Sequence, residues 1–211
     1  MHVSSGFLAR VLEAGDDAPD AITERILDAA LEQFQLVGLR RSTIDDVARR
    51  ARVGRVTVYR RVGQKDELVK AVILRELRRL FAAVDAATAP LATVQERLAE
   101  GFAVVLRTVR EHPLFQRLLA VEPESVLPYL TVDGGPIITL TAAYLAGQIR
   151  HAQRAGLAPA DVEPEPVAEI MARLAHSVLL TPHGGIPLDD DDEARAFARD
   201  HIAPLVLRGR R

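Results

Sequence analysis

The chain has 211 residues, 48% hydrophobic and 27% charged, a balance that fits one large or two small packed domains and excludes a disordered chain. It contains no cysteine, which excludes disulfides, thiolate metal sites and a cysteine nucleophile. The net charge is −2, yet eight arginines and only two acids fall between Arg40 and Arg61, so an anionic partner is expected for that segment alone.

Residues 1–19 read as an extension. Phe7, Leu8, Val11 and Leu12 suit one or two amphipathic turns, and Arg10 and Glu13 interrupt the apolar stretch, so no signal sequence is expected. The first helix starts at Asp20, a good N-cap, sets Ile22, Ile26, Ala30, Leu31 and Phe34 on one face, and stops at Gly38. The second starts at Ser42 or Thr43. Either choice places an acid, Asp45 or Asp46, at the third helical position, as a capping box requires. Its apolar face is Ile44, Val47, Ala48 and Ala51.

A break follows at Arg52-Val53-Gly54. The third helix, 55–62, buries Val58 and Val62 and ends at Gly63. The fourth runs from about Lys65 to Val84, a rod of ~30 Å, and a turn is expected over 86–90. The fifth helix covers about 91–111. Pro113 starts the sixth, Pro123 and Pro128 bracket the seventh, and Pro136 opens an eighth that reaches Arg154. A ninth spans 165–180 and a tenth 190–207. The fold class is therefore all-α. The longest charge-free run, 134–149, is too short and too rich in glycine and proline for a membrane span. The expected location is the cytoplasm, in association with the nucleoid.

The first three helices carry the chemistry. Two short helices across a tight break, with small Ala48 and Ala51 where they approach, make a helix-turn-helix. The inward positions of the third helix are apolar, which leaves Arg55, Thr57, Arg60 and Arg61 for a DNA major groove. Arginine can grip a guanine edge, and threonine can meet a thymine methyl or a phosphate. Ser42 or Thr43, and Lys65, stand at helix N-termini, where backbone N–H groups favour phosphate.

Residues 21–70 resemble the DNA-binding domain of the TetR family of bacterial transcriptional regulators. The matching stretches are Ser42-Thr43-Ile44-Asp45-Asp46-Val47-Ala48, Ala51-Arg52-Val53, Thr57-Val58-Tyr59 and Lys65-Asp66-Glu67-Leu68. The resemblance implies an all-α homodimer, with a three-helix DNA-binding domain at 20–66, a connecting helix at about 65–84, and a ligand-binding and dimerisation domain at 67–211. It implies that Thr43, Arg55, Thr57, Tyr59 and Lys65 contact a palindromic operator, Tyr59 through its hydroxyl. Three positions depart from the family pattern: Arg52 stands for the usual glycine, Gly54 for serine, and Arg61-Val62 for His-Phe.

In the C-terminal half, Phe102, Phe115, Tyr129 and Tyr144 are candidate pocket residues, with Leu106, Leu119, Thr141 and Gln148 beside them, for a small apolar effector. Val167, Ile170, Leu174 and Val178 of the ninth helix and Phe197, His201 and Leu205 of the tenth are candidate dimer contacts. No metal or cofactor is expected, because the six histidines lack ligand spacing. No hydrolase, phosphate-loop or zinc-protease motif supports an enzyme. The leading function is a repressor released from its operator by a ligand. An effector-independent DNA binder and a helical protein–protein adaptor are the alternatives.

Overall fold

The computed structural model describes residues 20–209, and these form helices with no strand. The expected extension at 1–19 lies outside the described residues. The helices are α1 (Ala21–Arg41), α2 (Ile44–Ala51), α3 (Arg55–Val62), α4 (Lys65–Thr88), α5 (Val94–Glu111), α6 (Pro113–Val121), α7 (Pro123–Leu130), α8 (Gly135–Arg154) and α9 (Pro164–Leu180). Then come α10 (Asp191–Phe197), a π-helical segment (Ala198–Ile202) and α11 (Ala203–Leu207).

The described chain forms two compact units. The first takes residues up to Leu77 together with His112–Pro136, and the second takes Arg78–Glu111 and residues from Ile137 on. In the first, α1 packs against α2 and α6. Ile26, Leu27, Ala30 and Phe34 of α1 are buried with Val47, Val58, Val62, Leu68, Val72, Leu114, Leu118 and Val126. Ile22 is exposed and Leu31 only half-buried. The covered stripe therefore turns toward Leu27 and Ala29, because neighbours flank α1 on two sides. Gly38 breaks α1 at φ 85°. Its backbone also lies so close to the Glu122 carboxylate that any Cβ would collide with it. Glu122 in turn accepts the Arg40 N–H at 3.1 Å.

The core of the second unit contains Phe102, Ala103, Leu106, Ala146, Ile149, Ala168, Met171, Ala198, Ile202 and Val206.

Several boundaries differ from expectation for local reasons. α4 continues to Thr88 where a turn was expected, since Asp85-Ala86-Ala87 contains no helix breaker and Pro90 is the first. α5 starts later, at Val94, because Thr93 and Glu96 form a capping pair: the Glu96 N–H donates to Thr93 Oγ1 at 3.1 Å, and the Thr93 N–H donates to Glu96 at 3.0 Å. Pro128 lies inside α7 and does not close it. The tenth helix is not continuous, because Pro204 has no N–H to donate and its ring crowds the preceding turn. The chain widens there into the π segment, where the Ala203 N–H reaches the Ala198 carbonyl.

Candidate nucleic-acid interface

Both helices of the helix-turn-helix are built by local rules. Thr43, and not Ser42, caps α2: its hydroxyl accepts the Asp46 N–H at 3.2 Å, and Asp46 accepts the Thr43 N–H at 3.2 Å. Ser42, also named as a DNA contact, is turned inward. It is 1% exposed and donates its hydroxyl to the Gly38 carbonyl at 2.6 Å, so it cannot reach a phosphate. The Thr43 hydroxyl bonds in the capping box hold the Asp46 carboxyl below its ordinary pKa.

α2 ends in a Schellman turn. The Val53 N–H bonds the Ala48 carbonyl at 3.0 Å and the Arg52 N–H bonds the Arg49 carbonyl at 3.2 Å. The C′ residue is Arg52, at φ 53° and ψ 46°, and it is the one non-glycine residue with positive φ among the described residues. A left-handed L-residue costs roughly 1–2 kcal/mol, and glycine's extra chain entropy recovers part of that difference. Arg52→Gly is therefore expected to leave stability equal or to raise it by up to about 1 kcal/mol, with DNA binding weakened only modestly. Thermal melting checks this, and a marked drop in melting temperature would contradict the left-handed turn.

α3 seats Val58 and Val62 with no exposure and turns its other residues outward. Arg55, Tyr59 and Arg60 are exposed and Thr57 half-buried. Val56, absent from the residues expected at the interface, is 79% exposed. The helical period carried that signal, since position 56 lies about 200° around the helix from Val58.

Arg55 is engaged before any DNA arrives. Its guanidinium donates to the Tyr59 hydroxyl at 3.1 Å and pairs with Asp45 at 3.2 Å. The Tyr59 bond and the Asp45 charge raise its pKa above the ordinary arginine value. Tyr59 accepts in this bond and keeps its own O–H to donate.

Arg61, like Arg55, is already engaged, in an ion pair with Asp20, the N-cap of α1. Asp20 accepts the N–H groups of Ile22 and Thr23, and the Thr23 N–H leads the causes that hold its carboxyl below the ordinary pKa. Lys65 donates one N–H to the Arg40 carbonyl at 3.3 Å. The basic segment is thus less cationic than its count implies. Arg40, Arg49, Arg50, Arg55 and Arg61 pair with Glu124, Asp46, Glu32, Asp45 and Asp20. Arg41, Arg52 and Arg60 stand exposed on the same segment.

The candidate pocket residues divide between the units. Phe115, Leu119 and Tyr129 belong to the first; Phe102, Leu106, Thr141, Tyr144 and Gln148 belong to the second. Phe115 borders a cavity of about 10 Å³ with Phe34, Val72, Leu118 and Val126, room for about one water molecule. Drug-sized ligands need roughly 300 Å³ or more. The Tyr129 hydroxyl donates to Asp66 at 2.9 Å. In the second unit, Phe102 and Leu106 are buried in the core. Tyr144 stacks on Phe81 at 4.2 Å, and its hydroxyl donates to Asp85 at 2.6 Å, which Gln148 joins at 3.1 Å. Burial, and then the bond to Asp85, push the Tyr144 hydroxyl pKa up.

The candidate dimer residues are not sealed in the core. Val167, Leu174, Val178, Phe197 and Leu205 are half-buried, His201 is exposed, and Ile170 is 54% exposed. Among the described residues no helix is long and apolar enough to cross a membrane.

Comparison with known proteins agrees with this geometry. Residues 26–72 match the family model of bacterial regulatory proteins of the tetR family, and residues 93–200 match that of the bacterial tetracyclin repressor C-terminal domain. The HTH-type transcriptional regulator AlkX of Mycobacterium tuberculosis is 29% identical over 189 residues, covering 89% of this chain and 86% of the relative. The fold is shared with the TetR family repressor AlkX of a Dietzia strain, at TM-score 0.69 and 20% identity over 90% of this chain and 97% of that one. It is also shared with the repressor QsdR of R. erythropolis, at TM-score 0.66 and 24% identity over 92% of this chain and 100% of that one.

Proposed function

The chain belongs to the TetR family of DNA-binding transcriptional regulators, and from that premise we propose that it is a homodimeric repressor released from a palindromic operator by a small apolar effector. The observation that carries this reading is α3. Its two valines are sealed inside while Arg55, Val56, Tyr59 and Arg60 face outward from a helix only eight residues long. Such a helix fits a major groove about 12 Å wide. Arg55 would grip a guanine, Val56 and the Thr57 methyl would meet thymine methyls, and Tyr59, Arg60, Lys65 and the start of α2 at Thr43 would hold phosphates.

Residues 20–66 are the proposed DNA-binding part and 67–211 the effector and dimerisation part. The half-exposed apolar residues of α9 and α10–α11 support a dimer seam, because bundle helices bury such stripes against a partner. The proposed effector site centres on Tyr144, Gln148 and Thr141 of α8, where an aromatic stack meets polar handles. An apolar ligand accords with the Dietzia repressor of like fold, which is implicated in biodegradation of n-alkanes. The effector would act through α4, which carries Lys65 and continues unbroken to Thr88. It must bind the DNA-free arrangement more tightly, or no release follows.

The burial of Phe102 and Leu106 in the packed core favours a second reading, an effector-independent DNA binder.

Selection of bound sites from random DNA at physiological salt tests the first reading. The expected result is a palindrome with half-sites one helical turn apart, ~34–36 Å. Release by long-chain alkanes or fatty acids should follow. No enriched sequence would remove the regulator reading, and an operator that no ligand releases would leave the effector-independent one.

A further inference from the structure

The basic helix-turn-helix contains an acid that its helix cap does not need. Asp46 already closes the capping box with Thr43. Asp45, beside it in the first turn of α2, reaches across to α3. There Arg55 is held at three points. Its Nε lies 3.2 Å from Asp45 Oδ1, its Nη1 donates to Asp45 Oδ2 at 3.3 Å, and its Nη2 donates to the Tyr59 hydroxyl at 3.1 Å. The guanidinium carbon also lies 5.4 Å from the Tyr59 ring centroid.

A carboxylate on a DNA-facing surface repels phosphate, so on affinity alone Asp45 is unfavourable. Its geometry has a different consequence. Arginine carries five N–H donors. The clamp uses one on Nη1 and one on Nη2 and sets Nε beside the carboxylate as an ion pair, which leaves the Nε–H and one N–H on each terminal nitrogen. Two adjacent donors of that kind make the fork that takes guanine O6 and N7 together.

We propose that Asp45 is a positioning residue that aims Arg55 at a guanine of each half-site and withholds it from phosphates. The proposal rests on the DNA-binding reading above. In water an exposed pair such as this one is weak. In a groove that has lost its water the same pair strengthens. When the base is guanine, the fork is already oriented, and the cost of ordering a long side chain has been met. When it is not, the clamp stops Arg55 from swinging to a phosphate and recovering affinity. Asp45 thereby lowers overall DNA affinity and raises discrimination.

The test measures binding of the selected operator, of operators with each half-site guanine replaced, and of unrelated DNA, for the full chain and for Asp45→Asn, Arg55→Ala and the double variant. Wild type is expected to prefer guanine at one position by roughly five- to 150-fold, and Arg55→Ala to abolish that preference. Asp45→Asn should cut it by about two- to tenfold, the ordering cost of one long side chain. It should also steepen the log–log salt slope on unrelated DNA by about 0.9, one further phosphate. In the Arg55→Ala background the Asp45 change should alter neither quantity. Tighter binding to every sequence by one common factor, in both backgrounds, would reduce Asp45 to a repelling charge and overturn the proposal. So would an unchanged guanine preference in Asp45→Asn. A wild-type chain with no sequence preference at all overturns the regulator reading itself, which keeps the two failures apart.

Discussion

Arg75→Met is expected to destabilise the protein by about 3–5 kcal/mol, the range for breaking a buried ion pair by removing one partner. Arg75 lies midway along α4 and is 5% exposed. Its guanidinium meets Asp28 at 2.8 Å, Glu76 at 3.0 Å and Glu24 at 3.5 Å, and it donates to the Leu27 carbonyl at 3.3 Å. It therefore ties the first turns of α1 to α4. Methionine fills much of the same volume but takes a cation away from the Glu76 side chain, itself 10% exposed. Asp28 and Glu24 reach solvent, so the penalty falls mainly on the Glu76 carboxylate, which loses a 3.0 Å ion pair in a setting where charge is costly. Urea denaturation reads the loss as a lower midpoint at unchanged slope. Arg75→Met with Glu76→Leu should recover part of it, because the buried carboxylate that lost this cation is then removed as well. A loss under about 1 kcal/mol, the scale of an exposed pair, would show that the cluster is solvated and contributes little.

Arg55→Ala and Lys65→Ala are expected to separate the two components of DNA recognition. Without Arg55 the operator should lose its advantage over guanine-substituted sites, about 1–3 kcal/mol. Without Lys65 binding should weaken by a similar factor on every sequence, with the salt slope reduced by about 0.9. The difference follows from position. Arg55 opens the exposed face of α3, whereas Lys65 opens α4 and is anchored to the Arg40 carbonyl. Fluorescence anisotropy over a salt series measures both. A change of preferred sequence in Lys65→Ala would reverse the two roles.

The helix-turn-helix was legible at the level of single residues. The start at Asp20, the break at Gly38, the inward valines of α3 and the break at Arg52-Val53-Gly54 each depend on residues within a turn or two of one another. The same kind of signal was present but unread at Thr93-Glu96, a capping pair that sets the start of α5, and at Val56, which the helical period sends outward. Where two local readings competed, at Ser42 and Thr43, the choice depended on burial: Ser42 is turned inward and donates to the Gly38 carbonyl four residues back.

The pairing of charges shows the opposite case. Eight arginines in a short stretch read as a uniform basic face. Arg50 meets Glu32, Arg61 meets Asp20 and Arg40 meets Glu124, over separations of 18, 41 and 84 positions. No window of sequence contains such partners. The candidate effector residues were chosen from helices that follow one another in the chain, yet the chain turns back, and α6 and α7 join the first unit while α5 and α8 build the second.

The sequence by itself determined an all-α chain with a DNA-reading helix between the break at Arg52-Val53-Gly54 and Gly63, because caps, breakers and helical period act over one to four residues. Only the tertiary structure decided which arginines remain exposed, that Arg55 is clamped by Asp45, and which unit each aromatic residue joins. An apolar stripe or a charge states what a surface must bury or pair with, and the partner is set by the three-dimensional path of the chain.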